Sequence, residues 1–491
     1  MKVFLGNAPW KKKGYYGVRA GSRWPHFEKT GAGYMPFPFF LAYAAALLEK
    51  NGTEVSLVDG IAEYLSDEEF LKRISDFQPN LAVFEVSTNS MSVDLKFARE
   101  TRRILKNDGA IAFCGPDTNM YNNLFLEQNP DVDFILKGEY EFTLLELVKT
   151  LKDNSRNNLS KVKGIFFRDS DGKANFAGER ELIPNLDILP WPARHLLKME
   201  KYNDTPGGIP CPSVQMWASR GCPFQCIFCS WPQIMYGNHS YRTRNPVDVV
   251  DEMEWLVKEM GFKSVYFDDD TFNIGKPRIL QICSEIKKRN LSIPWAIMAR
   301  ADTADREILE AMKDTGLHAL KYGVESGSQE VVNNCGKKLD LEKVKETIKI
   351  TKELGIKFHL TFAFGLPGET MDSIRKTIEF AIEQDPDSLQ FSIITPFPGS
   401  KYYNDLEQKG FLLSKNWEEY DGYNRAVIRT ENLTKNELEA GLRMANCAWE
   451  EHLKKKEIKS NKLRFIIKGF KNPLYGIKRF WKIFVDKGYE K

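Results

Sequence analysis

Along the first 150 residues, short β-rich apolar runs alternate with stretches whose apolar positions recur at helical spacing. The runs fall at 2–5, 54–58, 81–86, 110–113 and 134–136, with helical patterns at 66–77 and 92–105. Such alternation predicts an α/β domain over 1–150 with a doubly wound, Rossmann-like parallel sheet, whose ligands lie at the carboxyl ends of the strands. The most apolar stretch, 35–48, contains Pro36 and Pro38 and is too short for a bilayer, so it predicts a buried helix. Residues 151–210 read as a connector holding a hairpin, with a strand at 161–167, a turn at 169–172 and a return strand, then an extended crossing at 189–192. From Val214 a second β-α series begins. Its strands are expected at 214–217, 264–267, 295–298, 319–322, 357–362 and 388–394, and its helices include 246–260, 276–288, 341–354 and 371–384. Six such units over 211–416 predict a partial (β/α)6, TIM-like barrel with its chemistry at the carboxyl ends of the strands. After Asn416 the pattern lapses, and 417–491 is expected to be helical, with a helix at 433–456 and a basic amphipathic tail.

At 491 residues the chain exceeds one core, in keeping with two or three domains. Cys114, Cys211, Cys283, Cys335 and Cys447 are scattered singly. They read as small buried apolar residues in a reducing compartment, not as a disulfide framework, so a cytoplasmic protein is expected. The first ten residues have neither a long apolar core nor a small-residue cleavage site, and no signal peptide is expected. Net charge is only +3, but 453–491 holds thirteen Lys and Arg against three acids, which leaves about −7 for the rest. In the tail Ile477, Trp481, Phe484 and Val485 share one helical face, flanked by Lys478, Arg479 and Lys482. That composition suits a helix lying peripherally at an anionic membrane surface; a helix packed back on the protein is the other main reading, and no nucleic-acid partner is expected.

Candidate chemistry centres on Cys222, Cys226 and Cys229, spaced C-x3-C-x2-C after the first strand of the second series. Three thiolates on one loop can hold three irons of a 4Fe-4S cube and leave the fourth open to a small chelating ligand, with Phe228 beside it. Two other readings stand at this point. The cysteines could bind structural zinc, although no second Cys or His pair follows at finger spacing, or Cys211 could close the cube and make a non-catalytic electron carrier.

The motif resembles the radical S-adenosylmethionine (SAM) signature, C-x3-C-x-aromatic-C, at every position. The resemblance implies a reduced cluster that cleaves SAM, so that an adenosyl radical attacks strong C–H bonds. Asp268, Asp269 and Asp270 come after the second strand and offer acceptors for the SAM ammonium; a magnesium-binding run or a capped helix start is the plainer reading. Arg300, after the third strand, offers a fork for a carboxylate. The fourth strand runs into 322–328, similar to the family's G-x-E-S-G-S segment. There Glu325 and Ser326 suit ribose hydroxyls, and Gly323 permits close approach. Gly365, after the fifth strand, opens a turn expected on the adenine side, and Glu369 is expected to cap the next helix.

In the first domain the segments 36–49, 51–59, 115–116, 132–133 and 138–139 resemble the cobalamin-binding domain fused to many radical SAM enzymes. The resemblance places Ser87, Thr88, Gly115, Pro116, Asp117, Gly138 and Glu139 at the corrin. The D-x-H-x-x-G motif is absent, and Asp117 stands where many relatives carry histidine. His26, the only histidine of this region, is read as a structural residue, so cobalamin is expected without a protein histidine on cobalt. The activity that the resemblance implies is cobalamin-dependent C-methylation of a small molecule or lipid, with an electron donor such as flavodoxin or ferredoxin. Oxidative cyclisation or another C–H rearrangement is the alternative. A methylthiotransferase is excluded, because Cys114 alone cannot hold its second cluster.

Overall fold

The computed structural model describes residues 1–471 apart from 107, 154, 155, 422 and 423, and their side chains apart from those of 117, 119, 156 and 459–471. The tail segment 475–485 lies outside the described residues. β1 (Lys2–Asn7) opens the first sheet and leads into a small antiparallel flap, β2 (Lys11–Lys12), β3 (Tyr15–Val18) and β4 (His26–Lys29). The sheet continues with β5 (Glu54–Asp59), β6 (Leu81–Glu85), β7 (Ala110–Cys114) and β8 (Phe134–Leu136), all parallel. Counted along the chain, these five parallel strands lie in the order 2-1-3-4-5, which puts the topological switch point between β1 and β6. β6 and β7 are buried throughout because helices cover both faces, which is why they read as unbroken apolar runs. The hairpin assigned to the connector belongs instead to this sheet. Its strands, β9 (Ile165–Arg168) and β10 (Ala174–Phe176), extend the edge at β8 antiparallel, so the first unit reaches past residue 150.

The second sheet has six parallel strands in sequential order: β11 (Ser213–Met216), β14 (Ser264–Phe267), β15 (Trp295–Ala299), β16 (Leu317–Glu325), β17 (Lys357–Phe364) and β18 (Ser388–Ile393). Between β11 and β14 a short hairpin, β12 (Ser219–Gly221) and β13 (Tyr241–Thr243), brackets the cysteine loop. The boundaries have local causes. Asn245 caps the helix Pro246–Lys258 with proline at its first turn, and Ser66 and Glu69 form a capping box at Asp67–Phe77.

The two units share one interior. The helix Phe39–Lys50 is buried almost all round because its second face meets the second unit; Phe39 stacks on Trp217 with ring centroids 4.1 Å apart. Beside it Arg220 binds Glu139 at 3.1 Å and Glu141 at 2.7 Å, and Arg242 binds Glu139 at 2.6 Å. The last helix runs over Lys435–Lys471, past the expected end, and His452 holds it to Asp385 at 2.8 Å. No helix among the described residues is long and apolar enough to cross a membrane.

Candidate active site

The cysteine loop leaves the carboxyl side of β11 through β12. Gly221, just before Cys222, has φ +85°, and a Cβ there would sit 2.0 Å from the Ser240 carbonyl oxygen, so this entrance requires glycine. Gln233, in the π-helical turn Trp231–Met235, donates from Nε2 to the carbonyls of Cys226, Ile227 and Cys229 at 3.1, 3.0 and 2.7 Å. Ile227 N–H donates to Cys335 O, and Tyr402 N–H donates to Ile227 O, each at 3.0 Å. The loop is therefore held by its own glutamine and by two distant segments.

Burial raises all three thiols above the ordinary range, and Cys229 is raised further by the charges of Cys226 and Cys222. Among the described residues no three His, Cys, Asp or Glu side chains converge as ligands of a single ion. The cysteines are thus close enough to feel one another's charge without sharing a one-ion site. Three soft donors, each with its own iron, fit a 4Fe-4S cluster, whose irons would stabilise the thiolates that burial disfavours. Cys211 does not fit as a fourth donor: it is exposed before the amino end of β11, whereas the loop leaves the other end, about 10 Å along the strand at strand rise. Phe228 is buried in the hydrophobic core of the second unit.

The acid run after β14 is already engaged. Asp269 is fully buried and accepts from the N–H groups of Ala218 at 2.7 Å and Ser219 at 3.3 Å and from the Ser219 hydroxyl at 3.0 Å. It braces the strand ends and is withdrawn as an ammonium acceptor; burial lifts its carboxyl to about 6. Asp268 and Asp270 instead meet Arg23 from the first unit. Its Nε donates to Asp270 Oδ1 at 2.7 Å and Nη1 to Asp268 Oδ1 at 3.0 Å, while Nη2 reaches the Asp268 carbonyl.

Arg300 forks onto Asp302 at 2.6 and 2.9 Å, donates to Lys337 O at 2.7 Å and lies 3.7 Å from the Phe224 ring centroid. Lys337, missed in the sequence, binds Glu325 at 2.8 Å. Burial pulls its ammonium down, but Glu325 and the Cys226 thiolate outweigh that and leave it raised. A Cβ on Gly323 would lie 2.7 Å from Glu325 Oε1 and 3.0 Å from Lys337 Nζ, so the glycine makes room for this pair. Glu325 itself holds φ +74°, a strained backbone for glutamate. Ser326 is withdrawn from the ribose role, since it is fully buried with its hydroxyl 3.0 Å from that of Thr377. Gly365 has φ +93° and donates to Glu369 Oε2 at 2.5 Å. Glu369 does not cap the helix; Thr370 and Ser373 do, and burial lifts the Glu369 carboxyl to about 8.

At the carboxyl ends of the first sheet, Ser87 pairs with Ser90 at 2.8 Å, and Thr88 is buried. Gly115 has φ +107°, and a Cβ there would meet Glu85 Cγ at 2.9 Å. Pro116 begins the 3-10 turn Pro116–Met120; the side chain of Asp117 lies outside the described residues. Gly138 faces the Met235 carbonyl, 3.5 Å from where its Cβ would stand. Glu139 is corrected from corrin contact to interdomain ion pair, because its buried carboxylate is consumed by Arg220 and Arg242. His26 Nδ1 lies 2.6 Å from Trp24 O and Nε2 3.1 Å from Glu28, a structural role.

The chain is similar to known proteins. The radical SAM superfamily model matches residues 218–381. The chain is 31% identical over 408 residues to an uncharacterized methyltransferase of Pyrococcus horikoshii, covering 83% of this chain and 86% of that one. It is 28% identical over 433 residues to the anaerobic magnesium-protoporphyrin IX monomethyl ester cyclase of Cereibacter sphaeroides, covering 85% and 68%. Its fold is similar to that of TsrM from Kitasatospora setae, a radical SAM methyltransferase solved with cobalamin and a [4Fe-4S] cluster bound, at TM-score 0.64 and 17% identity over 83% of this chain and 75% of that one. With likeness of that extent to the archaeal methyltransferase, and with the superfamily match falling on the cysteine loop and the sheet behind it, the chain belongs to the radical SAM superfamily, in the family of that methyltransferase.

Proposed function

We propose that this protein is a cobalamin-dependent radical SAM C-methyltransferase. The observation that carries it is the meeting of the two units at the carboxyl ends of their strands: the turn Trp231–Met235, just past the cysteine loop, lies against the 3-10 turn after β7 and against Gly138 after β8. Asn89 donates to the carbonyls of Tyr420 and, at 3.3 Å, Pro25, and Gly138 faces the turn just past Cys229. When bound, the cluster supplies the electron that cleaves SAM and cobalamin carries the methyl group. Cys222, Cys226 and Cys229 would hold the cluster; Gly323, Glu325, Lys337 and Arg300 would surround SAM; Ser87, Thr88 and Gly115 would border the corrin. Among the described residues no histidine stands at the carboxyl ends of β6, β7 or β8, which supports a corrin without a histidine on cobalt. The six strands in sequential order support a partial (β/α)6 barrel, with the first unit as its cobalamin-binding cap.

Reduced, reconstituted protein given SAM is expected to release methionine and 5'-deoxyadenosine, and anaerobically purified protein to carry a corrinoid visible by mass spectrometry. No release beside an intact cluster sinks the proposal. The relative that closes a ring in magnesium-protoporphyrin IX monomethyl ester supports oxidative cyclisation as the second reading. Transfer of a deuterated methyl group from SAM to product separates the two. A flavodoxin or ferredoxin would supply the electron. The basic charge of 453–491 supports peripheral contact with anionic membrane and a lipid or small-molecule acceptor. Liposomes that retain full-length protein no better than protein ending at Glu451 would refute the membrane contact.

A further inference from the structure

The connection between β1 and the helix Phe39–Lys50 spans residues 8–38, far beyond the ordinary two to six residues of a strand-to-helix loop. Within it, residues 19–24 run from one sheet's ligand end to the other's. At the switch point of the first sheet Arg19 is buried and donates to Asn7 Oδ1 at 2.7 Å, Ala8 O at 2.7 Å and Ser90 Oγ at 2.6 Å, and it pairs with Asp94. The segment then turns sharply. Ser22 N–H donates to Arg19 O at 2.9 Å, and a Cβ on Gly21 would lie 1.9 Å from the Phe37 carbonyl oxygen, so the turn is pressed against the segment before the helix. Four residues after Arg19, Arg23 spans Asp268 and Asp270 at the end of β14.

The second oxygen of Asp270 accepts the Gly221 N–H at 2.8 Å, immediately before Cys222. Arg23 also lies 5.3 Å from the Trp231 ring centroid, two residues past Cys229. Asp268 and Asp270 are thus bridged by a cation delivered from the first domain, with Lys321 also near Asp268, while Lys337 and Arg300 stand on the Cys226 side of the mouth.

We infer that Arg23 is a positioning residue for SAM binding. It fixes Asp268 and Asp270, and through Asp270 the Gly221–Cys222 entrance of the cysteine loop, in the arrangement that receives the methionine end of SAM. The inference rests on the proposed function and adds that the barrel's SAM site is incomplete without a side chain anchored at the switch point of the cobalamin-binding cap.

The test uses full-length, anaerobically reconstituted protein and compares parent, Arg23→Gln and Arg23→Lys. Iron and sulfide content, the EPR spectrum of the reduced cluster before and after SAM, and SAM affinity at equilibrium are measured. Arg23→Gln is expected to take up iron like the parent, to bind SAM about tenfold or more weakly and to lose most of the SAM-induced EPR change. Arg23→Lys keeps the charge without the fork and should fall between. Parent-like affinity and spectra in Arg23→Gln overturn the inference. Should Arg23→Gln fail to fold or to take up iron, Arg23→Lys decides, and parent-like SAM binding by the lysine variant overturns it equally. Absence of SAM binding by the parent overturns the functional reading, and the role of Arg23 with it.

Discussion

The two parallel sheets end differently. At the carboxyl edge of the first, most polar groups pair within the unit or with its connector: Arg19 is surrounded by Asn7, Ser90 and Asp94, Tyr140 donates to Glu85 at 3.0 Å, and Asp59 accepts from Asn7 at 2.8 Å and Tyr202 at 3.2 Å, while Asn89 Oδ1 has no hydrogen-bond partner among the described residues. At the edge of the second, burial raises three thiols, with Cys229 raised further by Cys226 and Cys222, Glu369 Oε1 has no hydrogen-bond partner among the described residues, and a cation arrives from the other domain. One edge is mainly a network of groups of its own unit that rigidifies a scaffold; the other concentrates negative donors beside cationic groups, one of them from the first unit.

Removing a donor from the second edge should have the largest effect. Cys226→Ala is expected to abolish cluster assembly and SAM cleavage while the fold persists, read as iron content, 5'-deoxyadenosine release and an unchanged circular dichroism spectrum. Retained cleavage would break the contrast. At the first edge Arg19→Gln leaves Asp94 buried without its ion pair and should cost about 3–5 kcal/mol of stability, seen in denaturant melts.

Next comes pH. Burial lifts Glu85 to about 7, against an ordinary value near 4.5, so between those values the native protein binds more protons than the unfolded chain. Stability from this group is therefore full below about 4.5, falls as pH rises to about 7 by up to about 3 kcal/mol, and is flat above. Glu85→Gln should remove that slope and raise the melting temperature relative to the parent at pH 8 but not at pH 4.5. Equal shifts at both pH values would show that Glu85 is not a strained member of the network. Smallest should be Gln233→Leu, which strips a donor from three loop carbonyls and should destabilise the loop by about 1–2 kcal/mol, read as faster loss of iron to a chelator.

Repetition and local chemistry make much of this legible in the sequence. The strands Ser264–Phe267 and Phe134–Leu136 and the helix Lys276–Lys288 fall where the pattern puts them, because their ends are marked by Asp, Lys and a Gly-Lys-Pro start. The cysteine spacing locates the loop, since its three donors are local. What stays hidden depends on distance along the chain. Arg23 and Asp270 are 247 residues apart, and the connection that brings them together has no periodic apolar pattern. The acid run therefore reads as open to a ligand ammonium when a protein cation already spans it. Lys337 and Gln233 escape for a related reason: a lysine and a glutamine carry no motif, and only the folded loop shows which acid or carbonyl each one meets. The hairpin of β9 and β10 is recognisable as a hairpin but reads as part of the connector, because nothing in a hairpin names the sheet edge that will accept it.

The path of residues 19–24 bears on how such proteins can be recombined. A graft that cuts between the two sheets at the connector would move the corrin-side module cleanly on paper, yet it would carry away an arginine that the remaining half needs and leave two acids facing a stranger. The seam between these modules lies inside the first of them, so the inheritable unit is the early loop together with the aspartates it reaches.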